Sequence, residues 1–362
     1  MSKIQNTSQL YNKVFKNASL IDLNLGLVNL VDIFCVGGKI EKIVKSGAKI
    51  FYDAEIVDLN GNYVLPMFVN AYCDSVEAFK NSCGRQLQEK NEIKLAQKLM
   101  YVKNLLAGTI LVDDVSLMKE KWEVLKNVEQ LSELQLSEIS DYVAKNNKGI
   151  FLDVGRSLEE LGTIDKMYGK PLSYVLEDFG FFDRNFALVG ANCFDKDDFQ
   201  VVENYCGRCV LTPMEDGLVG RRHSNVVSLK NYNFDIAIGS GGAFEIDFFA
   251  YMRQILLSHR AMFEDANILS EQEVLQMAFN PNINGYINDI TEGNYANFMV
   301  VHKIESLYDN VYKELVWGKS KKDVVMTVAE GEILQKNGEI IMQNYPKYYK
   351  IIEELQEITR RN

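Results

Sequence analysis

Residues 54–74 read AEIVDLNGNYVLPMFVNAYCD, and the fold turns on this stretch. AEIVDL (54–59) has the make-up of a short strand and Asn60-Gly61-Asn62 that of a turn, while YVLPMFVNAY (63–72) is apolar almost throughout. Before it, the chain consists of short strands and turns. After it, apolar runs of strand length alternate with helical patterns. The stretch is the passage from a β-rich part into a βα-repeating part.

Upstream lie VFKNASLIDL (14–23) and LVDIFCVGGKIEKIV (30–44), the latter folded at Gly37-Gly38 as a hairpin. Downstream, strands are expected at 68–72, TILVDD (109–114), GIFLDV (149–154), FALVGA (186–191), RCVLT (208–212) and FDIAIG (234–239). Helices are expected at 89–107, 136–147, 197–206 and 246–263, and Ser270 with Glu273 forms a capping-box pattern before VLQMAF (274–279). From about residue 290 strands return, in NFMVVHKI (297–304) and DVVMTVAEGEIL (323–334), with a turn at 336–338. The end of the chain carries Ile351, Ile352, Leu355 and Ile358 on one stripe, which predicts a helix over 346–362.

This order predicts an α/β protein. A TIM-like (β/α) barrel at 67–289 interrupts a β-sandwich built from both chain ends, 1–66 and 290–345. Between TILVDD and GIFLDV the span 115–148 is short, and helix formers dominate MKEKWEVLKNVEQL. At about 30 residues per βα unit there is room for at most one barrel strand in 116–148, so the barrel is expected to be truncated or distorted.

Composition narrows the functional classes. The net charge of −11 disfavours nucleic acid and an anionic membrane surface. Six cysteines in 362 residues are not a disulfide framework, and no apolar run has the length of a membrane span. The expectation is a reduced, soluble, cytoplasmic protein without a signal peptide at Met1–Lys13. Three histidines, His223, His259 and His302, leave little imidazole for metal binding or general base work.

The same segments carry a resemblance. FKNASLIDL, VDIFCVGGKIEKIV and 54–74, then GTILVDDV (108–115), 169–202, 236–260 and EGNYANFMVV (292–301), resemble in order the amidohydrolase superfamily. The similarity is to the branch holding adenosylhomocysteine, aminofutalosine and guanine deaminases and triazine hydrolases. The resemblance implies a divalent metal that acidifies a water. It also implies where the ligands would fall. The first-strand histidine pair falls on Tyr72 and Asp74. The histidine and glutamate of the HxxE pattern fall on Asp153 and Arg156, the next histidine on Gly190, and the eighth-strand aspartate on Gly241. No expected ligand survives as itself, so no metal and no cofactor are expected.

The candidate pocket is Tyr72, Asp74, Asp153, Arg156, Gly190, Asn192, Ser240 and Gly241, at the mouth where such barrels keep their sites. Arg156 is expected within ion-pair distance of Asp153 or Asp74, as the replacement for a lost cation. Gly239-Ser240-Gly241-Gly242 offers backbone N–H groups to a phosphate, or else only fills a tight turn. Cys206-Gly-Arg-Cys209 opens a strand, which speaks against a redox pair. His223, His259 and His302 read as structural or surface residues, and Arg221 and Arg222 as a solvated loop.

The leading expectation is a degenerate relative with no catalytic residues, kept for binding a small molecule or for assembly. A homodimer or an active paralogue is its expected protein partner. The alternative is a hydrolase or deaminase acting on C–N bonds with rebuilt ligands, since fold does not fix function.

Overall fold

The computed structural model describes residues 13–47, 54–84, 87, 89–115, 121–205, 207–280, 289–304 and 307–341. The stripe at 346–362 lies outside them, as do Met1–Asn12 and Cys206. The described residues divide into two compact units. One lies within Met1–Met67, Leu105–Ile110 and Ile287–Lys347, the other within Phe68–Asn104 and Leu111–Tyr286.

The first unit opens with β1 (Lys13–Asp22), β2 (Leu27–Val36), β3 (Lys39–Lys45), β4 (Glu55–Asp58) and β5 (Tyr63–Leu65). The β2–β3 hairpin turns at Gly37 and Gly38, which take φ of 60° and 78°. A side chain would strain both residues.

The second unit holds β6 (Phe68–Cys73), β7 (Thr109–Asp114), β8 (Trp122–Lys126), β9 (Gly149–Val154), β10 (Phe186–Gly190), β11 (Arg208–Leu211) and β12 (Asp235–Ile238). Strands β8 to β12 form a parallel five-stranded sheet in sequence order, and β6 pairs with β7. An isolated parallel bridge, Cys73 to Gly241, links the end of β6 to the residues after β12. Val69, Ala71, Tyr72, Trp122, Phe151, Ala187, Val189, Val210 and Ala237 share one buried core drawn from β6 and β8–β12.

The chain then returns to the first unit with β13 (Phe298–Val301), β14 (Val324–Ala329), β15 (Glu332–Lys336) and β16 (Glu339–Ile340). β13 pairs with β5, so strands from both chain ends join one nine-stranded sheet. Its core includes Phe15, Ile33, Ile40, Phe298 and Val328, with Phe15 and Phe298 edge to face at 5.0 Å. Where a sandwich was expected, the hydrogen bonding describes this single sheet.

The one strand allowed within 116–148 is present, and one other element differs from the sequence expectation. WEVLK (122–126), embedded in helix formers, is strand β8, paired residue by residue with Gly149–Asp153. Trp122 stacks on Phe151 at 4.5 Å, and that tertiary contact overrides local propensity. Residues Val311–Gly318, in a part read as strands, form a helix capped by Asn310. Within 116–148 the described residues hold β8, a short 3-10 turn and the helix Glu133–Lys145. Among the described residues no helix is long and apolar enough to cross a membrane.

Candidate functional site

Parallel pairing sets the site. Lys126 is opposite Asp153, Asp153 opposite Val189, and Val154 opposite Gly190, so the C-terminal ends of β8, β9 and β10 lie side by side. The segments after β11 and β12 continue the row, and the bridge at Gly241 brings in β6. Charged groups collect along this edge.

Arg156 is the hub. Only 6% of its side chain is exposed. Nε lies 2.8 Å from Asp153 Oδ1, Nη2 3.0 Å from Glu215 Oε2, and Nη1 3.2 Å from Asp216 Oδ1. Nη1 also donates to Asn192 Oδ1 at 3.1 Å and to Thr212 Oγ1 at 3.0 Å. The Nε–H is not aligned on a hydrogen-bond acceptor, so the contact with Asp153 is ionic. Burial alone would lower the Arg156 pKa, but Asp153, Asp216 and Glu215 outweigh it and hold it above the ordinary value. Its backbone is fixed as well, since the N–H groups of Gly155 and Arg156 both donate to Glu160.

Lys126 is the second cation. Its Nζ lies 2.8 Å from Asp74 Oδ2 and 3.7 Å from Asp153 Oδ2. Asp74 caps the helix Ser75–Cys83 by accepting from the Glu77 N–H. Tyr72 is buried and its hydroxyl donates to Asp153 at 3.1 Å. Burial, then the charges of Asp153 and Asp74, raise the Tyr72 pKa well above its usual value.

The expected pocket residues fall into two groups. Tyr72, Asp74, Asp153, Arg156 and Asn192 meet in this network, with Gly190 and Gly241 beside it. Ser240 does not reach it, because its N–H donates to Asn70 Oδ1 and its hydroxyl accepts from Asn70 Nδ2. The neighbouring N–H groups are used too: Gly239 donates to Leu211 and Gly241 to Tyr72. The Gly-rich turn therefore joins two strands, and the N–H groups of Gly239, Ser240 and Gly241 are committed to protein acceptors rather than open to a phosphate. Cys209 is buried and its thiol is pushed up to about 12, which makes it unreactive.

Sequence reasoning missed Lys126, Thr212, Glu215 and Asp216. Asp216 is almost fully buried, and burial raises its carboxyl to about 6 although Arg156 pulls the other way. Beside it lies a small pocket with His223, Ser224 and His259 in its wall. Ser224 Oγ and His223 Nδ1 are buried there without a hydrogen-bond partner among the described residues.

No protein-family model matches the chain. A 5-methylthioadenosine/S-adenosylhomocysteine deaminase of Thermococcus onnurineus is 23% identical over 217 residues, which are 57% of this chain and 50% of that protein. The chain thus spans about half the length of this curated relative. The enzyme of the same name from Caldicellulosiruptor saccharolyticus is 22% identical over 335 residues, 88% of this chain and 73% of that one. An adenosine deaminase of Xanthomonas campestris with bound zinc superposes with a TM-score of 0.83 at 13% identity, covering 97% of this chain and 99% of the other. The fold is that of the amidohydrolase deaminases. The deaminase names of these relatives correct the leading expectation of a degenerate protein kept for binding or assembly, and favour the C–N hydrolase alternative.

Among the described residues no group of three or more His, Cys, Asp or Glu side chains is arranged to hold a metal. The two carboxylates at ligand positions, Asp74 and Asp153, already have Lys126 and Arg156 as their cations.

Proposed function

We propose that this chain is a hydrolase of the deaminase class, acting on a C–N bond of a nucleoside-like, non-peptide substrate. The observation that carries this reading is the similarity to a methylthioadenosine/adenosylhomocysteine deaminase along 88% of the chain. The charged network supports it by lying at the C-terminal ends of parallel strands, the edge on which barrel enzymes do their chemistry. The reading takes β6–β12 as a barrel shortened by about one βα unit within 67–289. It takes 1–66 and 290–345 as one composite domain, a β-sandwich made by the nine-stranded sheet folding over on itself.

Hydrolytic deamination adds water to a ring carbon and expels ammonia, so one proton must leave the water and one must reach the departing nitrogen. Asp74 and Asp153 are the groups we assign to accept the first proton. Their side chains are 14% and 12% exposed, against 6% for Arg156, so solvent reaches them. Lys126, between them and 35% exposed, supplies the positive charge that stabilises the electron-rich ring as water adds.

The test is ammonia release from adenosine, 5'-methylthioadenosine and S-adenosylhomocysteine, with and without added zinc. Release is expected from at least one, falling about 100-fold or more in Asp153→Asn. No release from any of them under either condition overturns the deaminase reading.

A further inference from the structure

We infer that Arg156 is a built-in cation standing in the place of the metal, and that it closes the site to a zinc-class ion. Two glycines carry the argument. Gly190 and Gly241 fall where the resemblance puts a histidine and an aspartate. Both have positive φ, 79° and 55°. A Cβ on Gly190 would lie 2.0 Å from Arg156 Nη1 and 2.2 Å from Asn192 Oδ1. A Cβ on Gly241 would lie 2.1 Å from Glu215 Oε2.

Those contacts are far inside van der Waals distance, so neither position can bear a ligand while Arg156 and Glu215 stand where they do. Arg156 and Glu215 are themselves an ion pair at 3.0 Å. The space of two lost side chains is thus filled by one gained pair reaching in from the segments after β9 and β11. Loss of ligands alone would leave a cavity; here the replacement is packed and its charges are matched.

Charge points the same way. Asp74, Asp153, Glu215 and Asp216 face Lys126, Arg156 and Arg221, whose Nη1 lies 3.4 Å from Glu215 Oε1. A divalent ion entering this nearly balanced set would have to displace a cation. The guanidinium cannot move aside by losing its proton, because arginine stays charged in proteins.

Two measurements test this, and neither reads activity, so a failed ammonia assay leaves the inference standing. The first is elemental analysis and thermal denaturation of the full chain produced with and without zinc in the medium. The expectation is well under one equivalent of metal and a melting temperature that zinc does not raise. One equivalent of zinc, iron or manganese that disappears in Asp153→Asn overturns the inference.

The second is a double-mutant cycle of Gly190→Ala with Arg156→Ala. The strain of positive φ is common to both backgrounds and cancels. The expectation is that Gly190→Ala lowers the melting temperature by several degrees more in the natural chain than beside Arg156→Ala. Equal losses would show that Arg156 does not occupy that space. If a variant fails to fold, the metal measurement decides by itself.

Discussion

Arg156 Nε and Asp153 Oδ1 stand 2.8 Å apart, three residues from each other across the exit of β9. The same guanidinium also holds Glu215 and Asp216 from the segment after β11. Arg156→Ala leaves three carboxylates without their common cation in a buried place. The expected loss of stability in urea denaturation is about 3–5 kcal/mol. Arg156→Lys should recover less than half of it, because one ammonium cannot serve acceptors on three sides as a planar fork does. Full recovery by lysine would show that charge alone matters.

Asp216 gives the network a pH dependence of definite sign. Its folded pKa is about 6, raised from the ordinary 3.8 chiefly by burial. A raised carboxyl contributes stability that is complete below the unfolded value and lost as pH rises through the folded one. The difference in stability between the natural chain and Asp216→Asn should therefore fall between about pH 4 and pH 6, by on the order of 3 kcal/mol. Above pH 6 it should be flat. Denaturation midpoints of both proteins across that range measure it, and a difference that rises with pH refutes the assignment.

His259 works in the opposite direction. Its Nδ1 lies 2.8 Å from the Ile255 carbonyl, and Nε2 accepts from the Val226 N–H at 3.0 Å while lying 3.1 Å from the Ser224 carbonyl, an arrangement that the neutral Nδ1–H tautomer fits. Burial lowers its pKa from the usual 6.5. For a base with a lowered pKa, stability is present above the unfolded value and is lost as pH falls through it. His259→Leu should cost about 1–3 kcal/mol at pH 7 by stranding the Val226 N–H. The cost should shrink toward pH 5. A cost that grows on acidification would mean that the ring is charged in the folded protein.

Much of the fold was legible because the strands of the five-stranded parallel sheet are buried on both faces and read as short apolar runs. GIFLDV, FALVGA and RCVLT need no context. β8 was not legible, since WEVLK lies among lysines and glutamates and becomes a strand only by pairing with β9. At the site, Asp74, Asp153 and Arg156 were marked by the resemblance, which puts the family's ligands at those positions. Glu215 and Asp216 were not, because LTPMED looks like an ordinary acidic helix start. What buries them is an arginine some 60 positions away in sequence. The glycines were seen as missing ligands, but only coordinates show that their missing Cβ atoms are what the arginine and glutamate require.

Lys126 separates a structural role from a chemical one. Its Nζ joins Asp74 at 2.8 Å and Asp153 at 3.7 Å, yet the side chain is 35% exposed. Burial by itself would lower its pKa, but the two carboxylates outweigh that and raise it, so it is charged at neutral pH. At such exposure the ion pair contributes about 1 kcal/mol or less, and Lys126→Met should leave the melting temperature nearly unchanged. Its effect on chemistry should be large. Without the ammonium, the positive charge beside Asp74 and Asp153 that stabilises the ring as water adds is gone. Ammonia release by Lys126→Met should fall about 100-fold or more with the melting temperature nearly unchanged. Lys126→Arg, which keeps the charge, should keep most of the rate. If Lys126→Met lowers the melting temperature and the rate together, Lys126 only holds the fold and has no part in catalysis.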